Sequence, residues 1–490
     1  MGLGVLGGGV ATTRWFLKRG DRVTVTDLRS RAKLAPSIRA LGKGAKRVRF
    51  VLGRHRLADF RTNNIIVANP AVPRGSPYLA AARLAGKQVV NDAHIFLDEF
   101  EGPLIAVTGT RGKTTTVNWI AHLMRGAYPG LLAGGNSSAD MPLLKLLDDS
   151  ALAEGSPVIP AVVELSSWQL ELVRGARRAP DVAVITNLYP DHLNRYHNIR
   201  AYAAAKANIF RDQTQDQALI LNADDAWTPF FLKRKPRSRV FFISLKPLPK
   251  SKRGIYVNGG TVFARLTAGS TERVLSRAAL ATLASWGDHN IRNLLTTLLA
   301  GRLAGVSFRS LSTRLSSLPT VPLREEVIHQ DRHLTVVNDS AGTSPDATTA
   351  ALRRFQKSRI ILLAGGTDKE LTFGEWAKAV KHHVPPERLL LLEGSATKKM
   401  VVALRCIGYF RKSAPQVFTT LPAMVRAAWK PTTDPPRLTS GRVEAGNRQP
   451  TTILFSPGAA SFEKFKNEFD RGRKFTAYCV RYFTEKKKEE

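Results

Sequence analysis

The stretch VTGTRGKTTTVNWIAHLM, Val107–Met124, sets the fold class of this chain. It follows directly on the apolar run PLIAVTG, which reads as a β-strand ending at Gly109. The residues after it, TTVNWIAHLM, read as a helix. Between them Gly109, Thr110, Arg111, Gly112, Lys113 and Thr114 form a glycine loop. Glycines let backbone N–H groups converge on phosphate oxygens, and the helix N-terminus adds partial positive charge. Lys113 supplies a mobile cation, and the Thr114 hydroxyl is a ligand type that Mg²⁺ accepts. The loop is two residues shorter than G-x-x-x-x-G-K-[ST]. A plain glycine turn has the same composition, but strand, loop and helix in this order favour a nucleotide site.

Further polar residues stand at the ends of apolar runs downstream. VVELSSWQLE puts Glu164 at the end of a strand, and VITNLYPDHLNRY puts Asp191 and His192 just past another. Ligands of doubly wound sheets bind at the carboxyl ends of the strands, so Thr114, Glu164 and His192 are expected to line one crevice. Any one of them alone reads as a cap or loop residue. Lys206 lies in the alanine-rich helix AYAAAKANIF, where a lone lysine is ordinarily solvated. SWGDHNIRNLL offers Asn290 and Asn293 at i, i+3 spacing on one helix face, either a polar helix start or a pair of amides for an adenine edge.

Working outward, three blocks alternate strand-like and helix-like runs. Residues 1–100 begin MGLGVLGGG, a G-x-G-x-x-G turn of Gly2, Gly4 and Gly7, followed by the helical ATTRWFLKRG and the strands RVTVTD, NIIVANP and QVVND. Such a turn ordinarily follows a strand, and only Met1 stands before it here. The reading therefore expects a truncated central strand in the first sheet, with an upstream in-frame apolar run of about five codons. Residues 101–318 hold the glycine loop. Residues 319–490 hold LTVVNDS, RIILLAGG, RLLLLEG and TTILFSPG, again a doubly wound α/β pattern, with a solvated loop expected over Lys430–Pro450. The fold class is α/β, with a Rossmann-like first domain, a P-loop central ATPase domain and a Rossmann-like third.

The 490 residues are 43% hydrophobic and 23% charged, as in a globular protein of about three domains. Two cysteines, Cys406 and Cys479, argue against a disulfide framework, and cytoplasmic residence is expected. No apolar run is long enough to span a bilayer, so no membrane partner is expected. The net charge of +35 is high, yet the basic residues are scattered and no nucleic-acid motif accompanies them, so a generally basic surface is the preferred reading.

Taken together, GTRGKT, ELSSWQL, TNLYPDH, YAAAK and GDHNIRN, in this order, resemble the Mur ligases. NDSAGTSPDA, LLAGGTDK and SPGAASFEKFKNEFDRGRKF extend the resemblance through the third block and are most similar to the D-glutamate-adding branch. The resemblance implies an ATP-dependent, Mg²⁺-requiring amide ligase of peptidoglycan precursor synthesis, a monomer acting on UDP-N-acetylmuramoyl-L-alanine and D-glutamate. Carried over by position, Val5, Leu6, Asp27, Arg29, Asn69 and Pro70 would hold the uridine diphosphate end, and Asn136 the muramoyl part. Gly109, Thr110, Arg111, Gly112, Lys113, Thr114 and Thr115 would bind the ATP phosphates, and Asn290, Asn293, Arg324 and Asp339 the rest of that nucleotide. Thr114, Glu164 and His192 would be metal ligands, joined by Lys206 when carbamylated. Lys113, His192 and Lys206 would be catalytic, and Thr343, Lys369 and Ser461 would hold D-glutamate. The chain departs from the family pattern at Asn194, Leu323, Ala341 and the Glu468–Phe469 order. Two alternatives stand beside this reading: a Mur-type ligase for another amino acid, and a basic nucleic-acid-binding protein on an ATPase scaffold.

Overall fold

A computed structural model describes residues 1–5, 7–136, 141–150, 159–193, 195–283, 287–319, 322–411, 413–433 and 449–489. Leu6, Asn194 and most of the Lys430–Pro450 loop lie outside the described residues. The remainder groups into two compact units, Met1–Pro190 with Arg195–Ala284 and Asp288–Pro319, and Asp191–Asn194 with Ser285–Gly287 and Thr320–Glu490.

In the first unit the dominant sheet has nine strands among the described residues. Its order is Glu272–Leu275, Thr261–Arg265, Gly254–Asn258, Arg239–Ser244, Ala218–Asn222, Val182–Ile185, Leu104–Thr108, Ala161–Glu164 and Leu132–Gly135. The last seven pair in parallel. Parallel strands are covered on both faces, which explains runs such as LIAVT, AVVE and VAVI with every residue buried. Register places Val107 beside Glu164 and Val184, Gly135 beside Glu164, and Thr108 beside Ile185. Gly109, Glu164, Thr186 and Asn136 therefore emerge at one edge of the sheet.

Gly254–Asn258, Thr261–Arg265 and Glu272–Leu275 add an antiparallel edge that the sequence reading did not anticipate. Gly259 and Gly260, at φ 54° and 76°, supply the left-handed pair that a two-residue hairpin turn needs. In the first block Val23–Asp27 pairs with Val48–Leu52, and Ile65–Val67 with Gln88–Val90, as separate two-stranded sheets. Met1 and Gly2 lie between the two pairs. Gly2 N donates to Thr26 O at 2.7 Å, the Met1 nitrogen to Val67 O at 2.8 Å, and Asn69 N to Met1 O at 2.9 Å. The backbone of Met1 and Gly2 thus bonds to both pairs.

The first block is fastened to the second through the segment after Glu164. Asn91 is fully buried; its side chain caps the helix Asp92–Glu99 by accepting from His94 N at 2.9 Å, and its amide donates to Gln169 O at 2.7 Å. Gln169 returns a bond to Asp92 at 3.1 Å, and the His94 ring meets Leu172 O at 2.8 Å.

The second unit carries a six-stranded sheet among the described residues, ordered Glu326–Gln330, Leu334–Asn338, Thr451–Phe455, Arg359–Gly365, Leu389–Leu392 and Gln416–Phe418. All pairs are parallel except the first, an antiparallel edge. LTVVN, RIILLAG, LLLL and TTILF form strands as the sequence reading expects. One face packs on Trp376 and Met400, the other on Phe475 and Trp429.

Asn91→Ala removes a helix cap and one donor to the buried Gln169 carbonyl, which keeps its bond from Leu172 N. Urea denaturation of the full chain is expected to show a loss of about 1–3 kcal/mol. A change under about 0.5 kcal/mol, ordinary for a surface substitution, would show that Asn91 does not fasten the two blocks.

Candidate active site

The phosphate loop is held by the strand beside it. Thr110 N donates to Asn187 O at 3.0 Å and Arg111 N to Asn187 Oδ1 at 2.9 Å. Arg111 O accepts from Thr186 Oγ1 at 2.6 Å and from Asn187 Nδ2 at 3.1 Å, while Tyr189 N donates to Thr110 Oγ1 at 3.0 Å. Thr186 and Asn187 were not singled out in the sequence; their signal was the TN that ends the strand run VAVITN. Gly109 sits at φ 144°, and a Cβ there would lie 1.9 Å from Thr186 Oγ1. Gly112 opens the helix Lys113–Met124 at φ 78°.

Glu164, almost fully buried, is the centre of the cluster. Thr114 Oγ1 donates to its Oε2 at 2.7 Å, Asn136 Nδ2 to its Oε1 at 3.3 Å, and Lys113 Nζ stands 4.0 Å from Oε1. Lys113 Nζ also donates to Thr110 O at 3.1 Å. A hydroxyl beside a carboxylate is an all-oxygen donor pair, which fits a hard cation such as Mg²⁺. Among the described residues no group of three or more His, Cys, Asp or Glu is placed to hold a metal ion. Thr115 is buried in the first helical turn. Lys206 is buried too, contrary to the solvated lysine that its helix alone suggests; Nζ donates to Gly109 O at 2.7 Å and lies 4.5 Å from the Tyr202 ring centroid.

Asn290 and Asn293 face each other, Asn293 Nδ2 donating to Asn290 Oδ1 at 3.1 Å. Asn293 is buried against the loop: Thr116 Oγ1 donates to its Oδ1 at 3.5 Å, and a Cβ on Gly112 would lie 2.3 Å from that oxygen.

Around the first glycine turn, Gly4 N donates to Asp27 Oδ2 at 3.0 Å and Arg29 N to Asp27 Oδ1 at 2.9 Å. The Arg29 guanidinium is 3.9 Å from the same carboxylate. Asn69 Oδ1 accepts from Ala71 N, closing the turn that contains Pro70. A Cβ on Gly2 would lie 2.8 Å from Asn69 Cβ. Val5 is exposed. The structure therefore brings together Val5, Asp27, Arg29, Asn69 and Pro70; Leu6 lies outside the described residues.

In the second unit Lys369 Nζ donates to Thr343 Oγ1 at 3.1 Å and stands 3.7 Å from Asp191 Oδ1. His192, at φ 54°, donates its N–H to Asp191 Oδ1 at 2.9 Å. Ser461 is buried, and among the described residues its Oγ has no hydrogen-bond partner. Asp339 accepts from Ser456 Oγ at 2.6 Å and from Glu325 N at 3.2 Å. Burial, and then the Glu325 charge, push the Asp339 carboxyl up to about 7 against the opposing pull of the Ser456 bond and Arg324. Of the departures, Leu323 is buried at φ 63°, and its carbonyl accepts from Ala341 N at 2.9 Å. Glu468 and Phe469 open the helix Glu468–Glu489.

The Mur ligase middle domain matches residues 107–301, and the Mur ligase MurD-like N-terminal domain matches residues 1–91. The UDP-N-acetylmuramoylalanine–D-glutamate ligase of Roseiflexus sp. (strain RS-1) is 34% identical over 479 residues, 97% of this chain and 96% of that protein. The ligase of the same name from Borreliella burgdorferi (strain ATCC 35210) is 33% identical over 482 residues, 97% and 95% of the two chains. Among solved structures, the UDP-N-acetylmuramate–alanine ligase of Thermotoga maritima superposes with a TM-score of 0.56 at 19% identity, covering 99% of this chain and 98% of that one. That likeness supports the mixed α/β fold.

The buried Asp339 gives a pH test. An unfolded aspartate ionises near pH 4, whereas the folded one holds its proton to about 7. Its contribution to stability is therefore complete below about pH 4 and is lost as pH rises through about 7. Asp339→Asn keeps an acceptor for Ser456 and removes the titration. Urea midpoints are expected to fall less steeply over that range for the variant than for the wild type. Parallel pH profiles would overturn this assignment.

Proposed function

The chain belongs to the Mur ligase family, and from that premise we propose that it joins D-glutamate to UDP-N-acetylmuramoyl-L-alanine with conversion of ATP to ADP. What carries the reading is the end-to-end likeness to relatives named for that reaction. The cluster around Lys113 and Glu164 supports it chemically. The same proposal includes a monomer working in the cytoplasm and a division into residues 1–100, 101–318 and 319–490. No helix among the described residues is long and apolar enough to cross a membrane.

A carboxylate is a poor acylating agent until its oxygen becomes a leaving group. In the proposed reaction the terminal carboxylate of the alanyl arm attacks the γ-phosphorus of ATP, ADP leaves, and an acyl phosphate forms. The amine of D-glutamate then attacks the acyl carbon and expels phosphate as the amide forms. Positioning and electrostatics supply most of the catalysis of such a phosphoryl transfer. Lys113 and the backbone N–H groups that open the helix Lys113–Met124 face the phosphates, and Gly109 to Thr115 shape their cradle. Mg²⁺, when bound, neutralises charge on the phosphoryl oxygens, and Thr114, Glu164 and His192 would hold it together with water and phosphate oxygens. Lys206 would join them as a carbamate. That modification replaces an ammonium with an anion, so the present donation to Gly109 O would be exchanged for contacts to a cation or a donor.

Asn290, Asn293, Arg324 and Asp339 would serve the rest of the ATP. Val5, Leu6, Asp27, Arg29, Asn69 and Pro70 would hold the uridine diphosphate, and Asn136 the muramoyl part. Thr343, Lys369 and Ser461 would hold D-glutamate, whose carboxylates suit the Lys369 ammonium and the Ser461 hydroxyl, unpartnered among the described residues.

ADP release with UDP-N-acetylmuramoyl-L-alanine is to be measured against D-glutamate, L-glutamate, meso-diaminopimelate and D-alanyl-D-alanine. Turnover is expected with D-glutamate alone; none with D-glutamate, but some with another acceptor, moves the chain to a different branch of the family. Lys113→Ala is expected to lower turnover by about 10²–10³-fold or more, as for loss of one preorganised charge-stabilising group. Gly109→Ala, whose Cβ displaces the loop from Thr186, is expected to lose on the order of 10²-fold, the scale of an ångström misplacement. Retention of full activity by both variants would remove the phosphate loop from the reaction.

A further inference from the structure

Arg471 is fully buried in the first turn of the helix Glu468–Glu489, where the Glu468 and Asp339 carboxylates act on it as opposite charges and its direct hydrogen bonds all go elsewhere. Nε donates to Ser340 Oγ at 3.1 Å and Nη2 to Ser340 O at 2.8 Å. Nη1 donates to Ala459 O at 3.1 Å and to Ala460 O at 3.0 Å. The guanidinium thus joins two loops that are remote in sequence. A third is drawn in at once, because Ala460 and Thr367 exchange backbone hydrogen bonds at 2.9 and 3.0 Å. Each loop continues within three residues to one member of the trio Thr343, Ser461 and Lys369.

This placement is poorly suited to stability alone. Burial of a cation carries a desolvation penalty that here outweighs the favourable Glu468 and Asp339 charges, and a cation in the first turn of a helix opposes the helix dipole. An apolar side chain of similar volume would fill the space without either penalty. What it would not do is bond three carbonyls and a hydroxyl in one plane, which the guanidinium fork does and an ammonium does not. The surroundings are shaped to admit the fork: Gly366, at φ 142°, leaves room where a Cβ would lie 3.3 Å from Nη1. Ser340 Oγ donates onward to Glu468 O at 2.7 Å, tying the loop back to the helix that carries Arg471.

We propose that Arg471 is a positioning residue for the amino-acid substrate: its guanidinium sets the mutual spacing of Thr343, Lys369 and Ser461 without touching the substrate itself. The inference rests on the reading of those three residues as the D-glutamate site.

The test uses the full chain with Arg471→Lys, Arg471→Ala and the milder Ser340→Ala, measuring KM for each of the three substrates. KM for D-glutamate is expected to rise about tenfold or more in both Arg471 variants, and KM for ATP and for the nucleotide-linked substrate to stay within about twofold. Added ethylguanidine is expected to restore the D-glutamate KM of Arg471→Ala, a rescue that general loosening of the fold does not produce. Ser340→Ala, which removes one acceptor and keeps the cation, is expected to raise the same KM about threefold. Equal rises in all three KM values, or an unchanged D-glutamate KM in the variants, overturn the proposal. Should Arg471→Ala fail to fold, Arg471→Lys and Ser340→Ala decide by the same split. A wild-type protein that does not turn over D-glutamate sinks the reading of the site instead, a result seen before any variant is measured.

Discussion

Parallel register between Leu104–Thr108, Ala161–Glu164 and Val182–Ile185 is the constraint on which the rest of the first unit depends. Strands paired in parallel and in step end at the same edge, so residues far apart in sequence leave the sheet together. Glu164, Gly109 and Thr186 become neighbours for this reason alone. The strands stay in step because every side chain in them is buried, and a slip of one residue would exchange the two faces. It would also carry Glu164 away from Thr114, whose hydroxyl is bonded to it at 2.7 Å. The apolar runs and the single carboxylate that ends one of them thus specify one another.

The glycines of the phosphate loop answer to protein as much as to phosphate. Gly109 is obliged by its φ of 144° and by Thr186, whose hydroxyl occupies the space a side chain would need. Gly112 is obliged in the same way by its φ of 78° and by the Asn293 amide. Thr186 also bonds the loop at Arg111 O, and Asn293 accepts from Thr116 in the helix that the loop opens. A loop braced on two sides keeps its N–H groups aimed before any anion arrives, which is the condition for preorganised stabilisation of charge.

What the sequence made legible follows from where information is local. PLIAVTG, AVVE and VAVIT announce buried parallel strands because burial on both faces writes itself as a continuous apolar run. GTRGKT announces its loop because strand, glycines and helix are contiguous. The edge hairpin at Gly259–Gly260 was missed: in TVFAR buried residues alternate with half-buried ones, and the strands lack such a run. Lys206 read as solvated from its alanine-rich helix, since nothing within ten residues shows that Gly109 O lies above it. Arg471 was hidden for a similar reason. It sits among charged neighbours in NEFDRGRKF, and its burial depends on loops more than ten residues before it and more than a hundred away.

A buried charged group fixes a turn in each unit, Asp27 at the end of a strand and Arg471 in the first turn of a helix. Asp27 accepts from Gly4 and Arg29 N–H groups, and Arg471 holds the Ser340 and Ala460 carbonyls. The comparison bears on the opening glycine turn. Gly2 bonds Thr26, the residue before Asp27, and Met1 bonds Val67, the last residue of a strand in the other pair. The turn is therefore positioned by the Met1 and Gly2 backbone, by the Asp27 carboxylate and by Ser37 Oγ, which donates to Gly4 O at 2.8 Å. Asp27, with two accepted N–H bonds, and Ser37, with one donated to Gly4 O, are the side chains that fix this turn. At the phosphate loop six hydrogen bonds between Thr110, Arg111 and the Thr186–Tyr189 segment divide the same task.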